Sequence, residues 1–287
     1  MNPSQGHLFV VGGGEDRRGD MEVLARYVEL CGGTDSSIAV LTSASSIPDK
    51  MWETYDSAFG EMGVRRRFAV NAETTAEADD TEKAQQLEDA NGIFMSGGDQ
   101  KRLVEILAGT RMHHAMWHAF ARHGACVGGT SAGAAAMARL MLARGTKDKL
   151  PDKETACLES GLGFMQQVVI DQHFSERQRL ARLLSAVAQS PDLIGVGIDE
   201  DTALIVGNDG EVEVVGTGAV TLIDGREMQS NIAHADSQER LELIHVILHL
   251  LPAGSRYHTD RLAVDHHLSP ANEALIDILR LVSKVRL

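Results

Sequence analysis

Apolar runs of four or five residues recur through the first half of the chain, and most of them break off at glycine or serine. They are "HLFVVGGG" (7–14), "SIAVLTSAS" (37–45), "RRFAV" (66–70), "GIFMSGGD" (92–99) and "ACVGGTSAG" (125–133). Between them lie stretches with helical spacing: "MEVLARYVELCGG" (21–33), "WETYDSAFGEMGV" (52–64), an acidic segment over 76–89, "KRLVEILAG" (101–109) and "HHAMWHAFARHG" (113–124). Apolar strands that alternate with amphipathic helices must be buried on both faces, which predicts an α/β fold with a largely parallel central sheet between helices. Further strands are expected at "VVID" (168–171), "GVGIDE" (195–200), "TALIVG" (202–207) and "VEVVGTGAVTLID" (212–224). The last of these has hairpin spacing, so the sheet should end in antiparallel strands. "AAAMARLML" (134–142), "LELIHVILHLL" (241–251) and "PANEALIDILRLVSKV" (270–285) are expected as helices. There is no internal repeat and no Pro/Ser-rich linker, so a single domain over 1–287 is the economical expectation.

A formal net charge of −14 argues against nucleic-acid binding, which needs a basic footprint. No apolar run is long enough to span a membrane. The start, "MNPSQGHLFVVGGG", lacks the basic and long apolar regions of a secretory leader. Cys31, Cys126 and Cys157 form neither a disulfide framework nor a C-x-x-C pattern. A reducing, cytoplasmic setting is the expectation that follows.

The stretch "GGTSAGAAAM" (128–137) clears almost every side chain from around one hydroxyl. Gly129-Thr130-Ser131-Ala132-Gly133 is a G-x-S-x-G at a strand-to-helix junction, the setting of a nucleophile elbow. A serine on so sharp a turn needs glycine or very small neighbours. It would project at the carboxyl end of the strand, where ligands bind in open α/β sheets. The helix that begins there would aim N–H groups at developing negative charge. A plain tight turn with serine as helix cap fits the same residues. "SGGDQ" (96–100) ends another strand in glycines, whose amides could help bind an oxyanion. Asp99 could equally cap the helix that follows.

A serine nucleophile needs a base, and the base an orienting group. Of twelve histidines, His113, His114, His118 and His123 fall at amphipathic helical spacing. His245 and His249 would be an i,i+4 pair on a late helix, without a carboxylate pattern to support a metal. His173 differs, because it follows an apolar strand directly in "VVIDQHFSERQRLARLL" and is placed on the same rim as Ser131. Asp199 and Glu200, in "GVGIDEDTALIV", are the acidic candidates at a strand end; a surface acidic turn is the alternative. The order Ser, His, acid departs from the Ser, acid, His order of α/β-hydrolases, and triads recur on unrelated scaffolds in different orders.

"FVVGGGEDR", "FMSGGDQKRL", "GGTSAGAAAM", "GLGFMQQVVIDQHFSERQRLARLL" and "GIDEDTALIV", in that order, resemble the serine peptidase family of cyanophycinases and aspartyl dipeptidases. The resemblance implies a fold like the class I glutamine amidotransferases, a flavodoxin-like three-layer arrangement. It implies Ser131 as nucleophile, His173 as base and then acid, and Glu200 as the group orienting the histidine. It also implies backbone N–H groups near Gly98 and Ala132 as an oxyanion site. Cyanophycinases hydrolyse a poly-aspartate polymer that carries arginine on each side-chain carboxyl, and they release β-aspartyl-arginine. Related enzymes form homodimers, and no metal or organic cofactor is implied. The partner is then cyanophycin or a small β-aspartyl peptide.

Arg177, Arg179 and Arg182 suit the carboxylates of such a substrate, and Arg179 and Arg182 would share a helix face. Asp171, Gln172 and Gln100 would line the site. A solvated helix face is the alternative for the arginines. The segment 144–159, "RGTKDKLPDKETACLE", does not match the family's pattern and leaves substrate choice open.

Overall fold

The structure, a computed structural model, describes residues 6–145, 150–207, 209–237, 239–260, 269 and 271–285. Thus the amino-terminal residues 1–5 and residues 146–149 of the unmatched segment lie outside the described residues.

The first half runs β1 (Leu8–Val11), α1 (Glu22–Leu30), β2 (Ser37–Leu41), α2 (Pro48–Glu61), β3 (Arg66–Val70), α3 (Thr75–Ala78), α4 (Thr81–Glu88), β4 (Gly92–Met95), α5 (Gln100–Leu107), α6 (Arg111–His123), β5 (Cys126–Thr130) and α7 (Ala132–Ala136). The second half continues with β6 (Leu140–Gly145), β7 (Ala156–Ser160), β8 (Val168–Gln172), α8 (Leu180–Gln189), β9 (Ile194–Ile198), β10 (Thr202–Val206), β11 (Glu211–Gly216), β12 (Ala219–Asp224), β13 (Gln229–Ser230), β14 (Leu243–Ile244), β15 (Ile247–Pro252), β16 (Arg256–His258) and α9 (Glu273–Val282). No helix among the described residues is long and apolar enough to cross a membrane.

The main sheet has the order β16-β11-β10-β1-β5-β4-β2-β3. Its strands β1, β5, β4, β2 and β3 are parallel, and β10, β11 and β16 extend it antiparallel, as expected. Side chains alternate across it. Phe9 and Val11 face a core with Tyr27, Tyr55 and Phe59 from α1 and α2, whereas Leu8 and Val10 face one with Leu103, Met116 and Phe120 from α5 and α6. This is the three-layer α/β arrangement.

A second sheet, β15-β12-β9-β8, packs on the latter face and was not foreseen as separate. The expected hairpin at 212–224 is in fact a sheet switch: Gly216 ends β11 opposite Thr202 of β10, while Val220 of β12 lies opposite Ile198 of β9. The far face of this sheet buries Val169 and Ile223 against Leu183 and Val187 of α8.

Two expected helices are strands. α7 stops at Ala136 because the carbonyls of Ala136 and Ala138 accept from Leu162 and Gly163 N–H instead of from a next turn, and Leu140–Gly145 becomes β6, paired with β7. "LELIHVILHLL" becomes β14 and β15, and β15 is the antiparallel edge partner of β12. Its apolar residues, interrupted by Glu242, His245 and His249, satisfy helical and strand periods alike, and the partner strand decides. His245 and His249 are therefore not a helical pair. The helix expected to carry Arg179 and Arg182 on one face begins only at Leu180, since His173 and Gln178 take φ of 51° and 52°, outside helical geometry. The helix at 270–285 forms as α9.

Candidate active site

β5 carries the chain into an elbow at Ser131, whose φ of 51° and ψ of −108° are strained for a residue with a Cβ. The surrounding glycines are dictated by contact. A Cβ on Gly129 would stand 2.5 Å from the Gly133 carbonyl carbon, and one on Gly133 would stand 2.4 Å from Met95 O. Strand end, first helical turn and β4 thus close on one another with no space for a side chain. Ala132 heads α7, where first-turn N–H groups have no acceptor within the helix. The Gly97–Gly98 turn after β4 runs alongside, and a Cβ on Gly97 would lie 3.5 Å from that of Ser131. Asp99 caps α5 through Lys101 and Arg102 N–H, so the turn serves its helix as well.

His173 and Glu200 come from the other sheet, at the ends of the parallel neighbours β8 and β9. Ser131 Oγ lies 2.9 Å from His173 Nε2, and His173 Nδ1 lies 2.5 Å from Glu200 Oε1. The histidine is 12% exposed and the glutamate 39%. Burial lowers the His173 pKa below its usual 6.5; the hydrogen bond to Glu200 works against this, and the Arg177 cation adds to it. Asp199, the other acidic candidate, is held in the backbone: its carboxylate accepts from Ser175 N–H and Ala219 N–H. Glu200 is the one that meets the histidine.

The loop after β1 belongs to the site, although the sequence offers its residues 12–16 only as a glycine-rich strand end and as part of the family resemblance, with no role in the site. Gly12 O accepts His173 N–H at 2.7 Å, and Gly13 O accepts Asp201 N–H at 2.8 Å. Asp16 N–H donates to Asp201 Oδ1 at 2.9 Å. Gly13, at φ 95°, leaves room for the imidazole, since a Cβ there would stand 2.4 Å from His173 Cε1. Three successive glycines running into "EDR" were the available signal.

Asp171 is fully buried at the end of β8 and lies between two guanidinium groups. Arg182 binds it through Nε and Nη2, and Arg179 through Nη1 at 3.2 Å. Arg179 also donates to the carbonyl and side-chain oxygens of Gln172. Burial brings the Arg179 pKa down to about 10 against the pull of Asp171, with Arg182 and Arg177 adding to the drop. The two arginines share Asp171 rather than a solvent-facing helix surface, and Arg179 is the N-cap residue of α8. Arg177 is exposed. Gln100 donates to Leu142 O at 2.8 Å, which ties α5 to β6. Arg182 meets the same hairpin, passing so close to Gly145 that a Cβ there would lie 2.1 Å from its Cδ.

Comparison with known proteins gives a consistent picture. The model of the peptidase family S51 matches residues 8–214. A cyanophycinase of Synechococcus elongatus is 38% identical over 271 residues, covering 93% of this chain and 84% of that protein. A cyanophycinase of Geminocystis herdmanii is 38% identical over 251 residues, covering 87% and 92%. Among solved structures, a peptidase from an acI-B1 actinobacterium superposes with a TM-score of 0.67 at 21% identity, covering 90% of this chain and 98% of that one. A putative peptidase E protein of Listeria monocytogenes gives 0.51 at 15% identity, covering 74% and 99%. The two structures share its fold.

Proposed function

The chain belongs to peptidase family S51, and on that premise we propose that it is a serine exopeptidase that hydrolyses the poly-aspartate backbone of cyanophycin and releases β-Asp-Arg. The observation that carries the reading is the unbroken hydrogen-bonded line from Glu200 through His173 to Ser131, assembled from three strand ends in two sheets. Ser131 attacks the scissile carbonyl, and His173 takes its proton and returns it to the leaving amine. Water then hydrolyses the acyl-enzyme with His173 again as base. Glu200 fixes the imidazole, and the amides of Gly98 and Ala132 receive the oxyanion.

Exposed Arg177 meets the substrate's carboxylate. Asp171, Gln172, Arg179 and Arg182 form the network beneath it, and Gln100 borders the site from α5. The test is incubation with cyanophycin granules and mass spectrometry of the products, beside Ser131→Ala and Arg177→Ala. Release of β-Asp-Arg by the parent protein, none by Ser131→Ala and a raised KM for Arg177→Ala are expected. No release by a folded protein that reacts with a fluorophosphonate would discard the polymer as substrate.

His173 works as a base only when neutral. Its pKa is lowered in the folded protein, so the working form persists to more acidic pH than a free histidine would allow. The acid limb of kcat/KM is expected to have its midpoint below 6.5, with activity lost as pH falls through it. A midpoint above 6.5 in a kcat/KM–pH profile would contradict the burial argument.

One buried core draws on residues from Leu8 in β1 to Val282 in α9, which supports a single domain and one cooperative unfolding transition. The free cysteines Cys31, Cys126 and Cys157 support a cytoplasmic setting. Ile247, Leu248 and Leu250 on edge strand β15 are 38%, 50% and 62% exposed. An apolar sheet edge of this kind calls for a cover, and a second copy of the chain supplies it, giving a homodimer. Light scattering that returned a monomer would remove that reading.

A further inference from the structure

Glu15 ends the glycine loop after β1 and is 3% exposed. Its Oε2 accepts from Thr130 Oγ1 at 2.6 Å and its Oε1 from the Tyr55 hydroxyl at 2.5 Å. Arg17 Nε stands 3.7 Å from Oε1, and the Arg17 guanidinium lies 5.5 Å from the centroid of the Tyr55 ring. Burial, and then Glu15 beside it, push the Tyr55 phenol well above its ordinary pKa, so it remains a donor throughout the working range. Nothing in the hydrolytic reaction uses this carboxyl, and burying it away from water is costly unless its partners are kept.

Its location gives it a consequence. Thr130 is the last residue of β5 and directly precedes Ser131, so the hydroxyl that Glu15 holds is one position from the nucleophile. Three residues earlier, the same loop accepts the backbone N–H of His173, and the next glycine accepts that of Asp201, which adjoins Glu200. Ser131 hangs from the main sheet, while His173 and Glu200 hang from the smaller one. The loop over 12–15 is fastened to both sheets at the point where the triad must meet.

We propose that Glu15 is a positioning residue: clamped by Tyr55 and Thr130, it locks the loop to the elbow and thereby sets the reach of Ser131 to His173. This rests on the hydrolytic reading of Ser131. A group of this kind acts on the chemical step, where misplacement by about 1 Å costs about 10²-fold, and not on substrate affinity.

The test is kcat and KM for β-Asp-Arg release by Glu15→Gln, Thr130→Val and Thr130→Ser, each expressed per folded molecule from its unfolding curve, with Ser131→Ala assayed alongside. Glu15→Gln and Thr130→Val are expected to lower kcat by about 10²-fold with KM held. Thr130→Ser, which keeps the hydroxyl, is expected to recover most of kcat. The double variant Glu15→Gln/Thr130→Val should be no slower than Thr130→Val alone, because both changes act on the same link. Variants that melt earlier but keep kcat per folded molecule would make Glu15 purely structural and overturn the proposal, as would a Thr130→Ser protein as slow as Thr130→Val. Should Glu15→Gln not fold, the two Thr130 variants decide alone. Turnover that survives Ser131→Ala would instead reject the hydrolytic reading itself. Abolition there, with Glu15 and Thr130 variants unaffected, would reject only the role of Glu15.

Discussion

Ser131→Ala and His173→Ala are each expected to reduce turnover by about 10⁴-fold or more while the protein remains folded. The magnitude follows from the parts acting as one unit. Without the hydroxyl there is no acyl-enzyme, and without the imidazole the hydroxyl keeps its proton, so the double variant should be scarcely worse than either single one. The fold should survive because neither change strands a buried group. After Ser131→Ala, His173 keeps Glu200 on Nδ1 and Gly12 O on its backbone N–H. After His173→Ala, Glu200 is 39% exposed and can turn to water. Steady-state kinetics of dipeptide release, with circular dichroism to certify the fold, make the check. Near-normal turnover by a folded Ser131→Ala protein would reject the mechanism outright.

The largest effect on stability is expected at Asp171. Its carboxylate is wholly buried, and its partners Arg179 and Arg182 expose only 15% and 11% of their side chains. Asp171→Ala leaves two guanidinium groups facing each other without an anion, and removing one partner of a buried ion pair costs about 3–5 kcal/mol. Replacing all three charges together would be milder, since the penalty comes from the stranded charges and not from the loss of attraction. Asp171 also stands two residues before His173, so the strand end that aims the imidazole loosens with it, and turnover should fall beyond what the folded fraction explains. Urea unfolding measures the first effect through the midpoint at constant slope. A loss below about 1 kcal/mol would mean that water reaches the arginines and the pair behaves as an exposed one.

Both predictions rest on residues that the amino-acid order already distinguished. Ser131 stood out because a strained turn between a buried strand and a helix tolerates only very small neighbours, a steric rule that operates within five residues. His173 stood out at the end of an apolar strand, and Asp199 and Glu200 together at the end of another, because a strand's end is a fixed place on an α/β rim; the family resemblance singled out Glu200. The arginines were legible as a cluster, but not their partner. That Arg179 and Arg182 turn inward to Asp171 depends on where β6 and α8 pack.

What the sequence by itself determined is the local part: the α/β class, the parallel βα alternation of the first half, and the elbow. These follow from hydrophobic period and from sterics between near neighbours, both of which are written into short windows. Only the tertiary structure decided the rest. The apolar residues of 241–251, interrupted by Glu242, His245 and His249, fit a helical and a strand period alike, and β12 as a pairing partner made Ile247–Pro252 strand. β11 and β12 are spaced as a hairpin, yet each pairs in a different sheet. The meeting of Ser131 with His173 and Glu200, and of the Gly12–Glu15 loop with all three, joins segments up to 188 residues apart. Glu15 and Thr130 alone are separated by 115 positions. No window of sequence contains such a contact, because it is the packing of one sheet on another that brings the strand ends together.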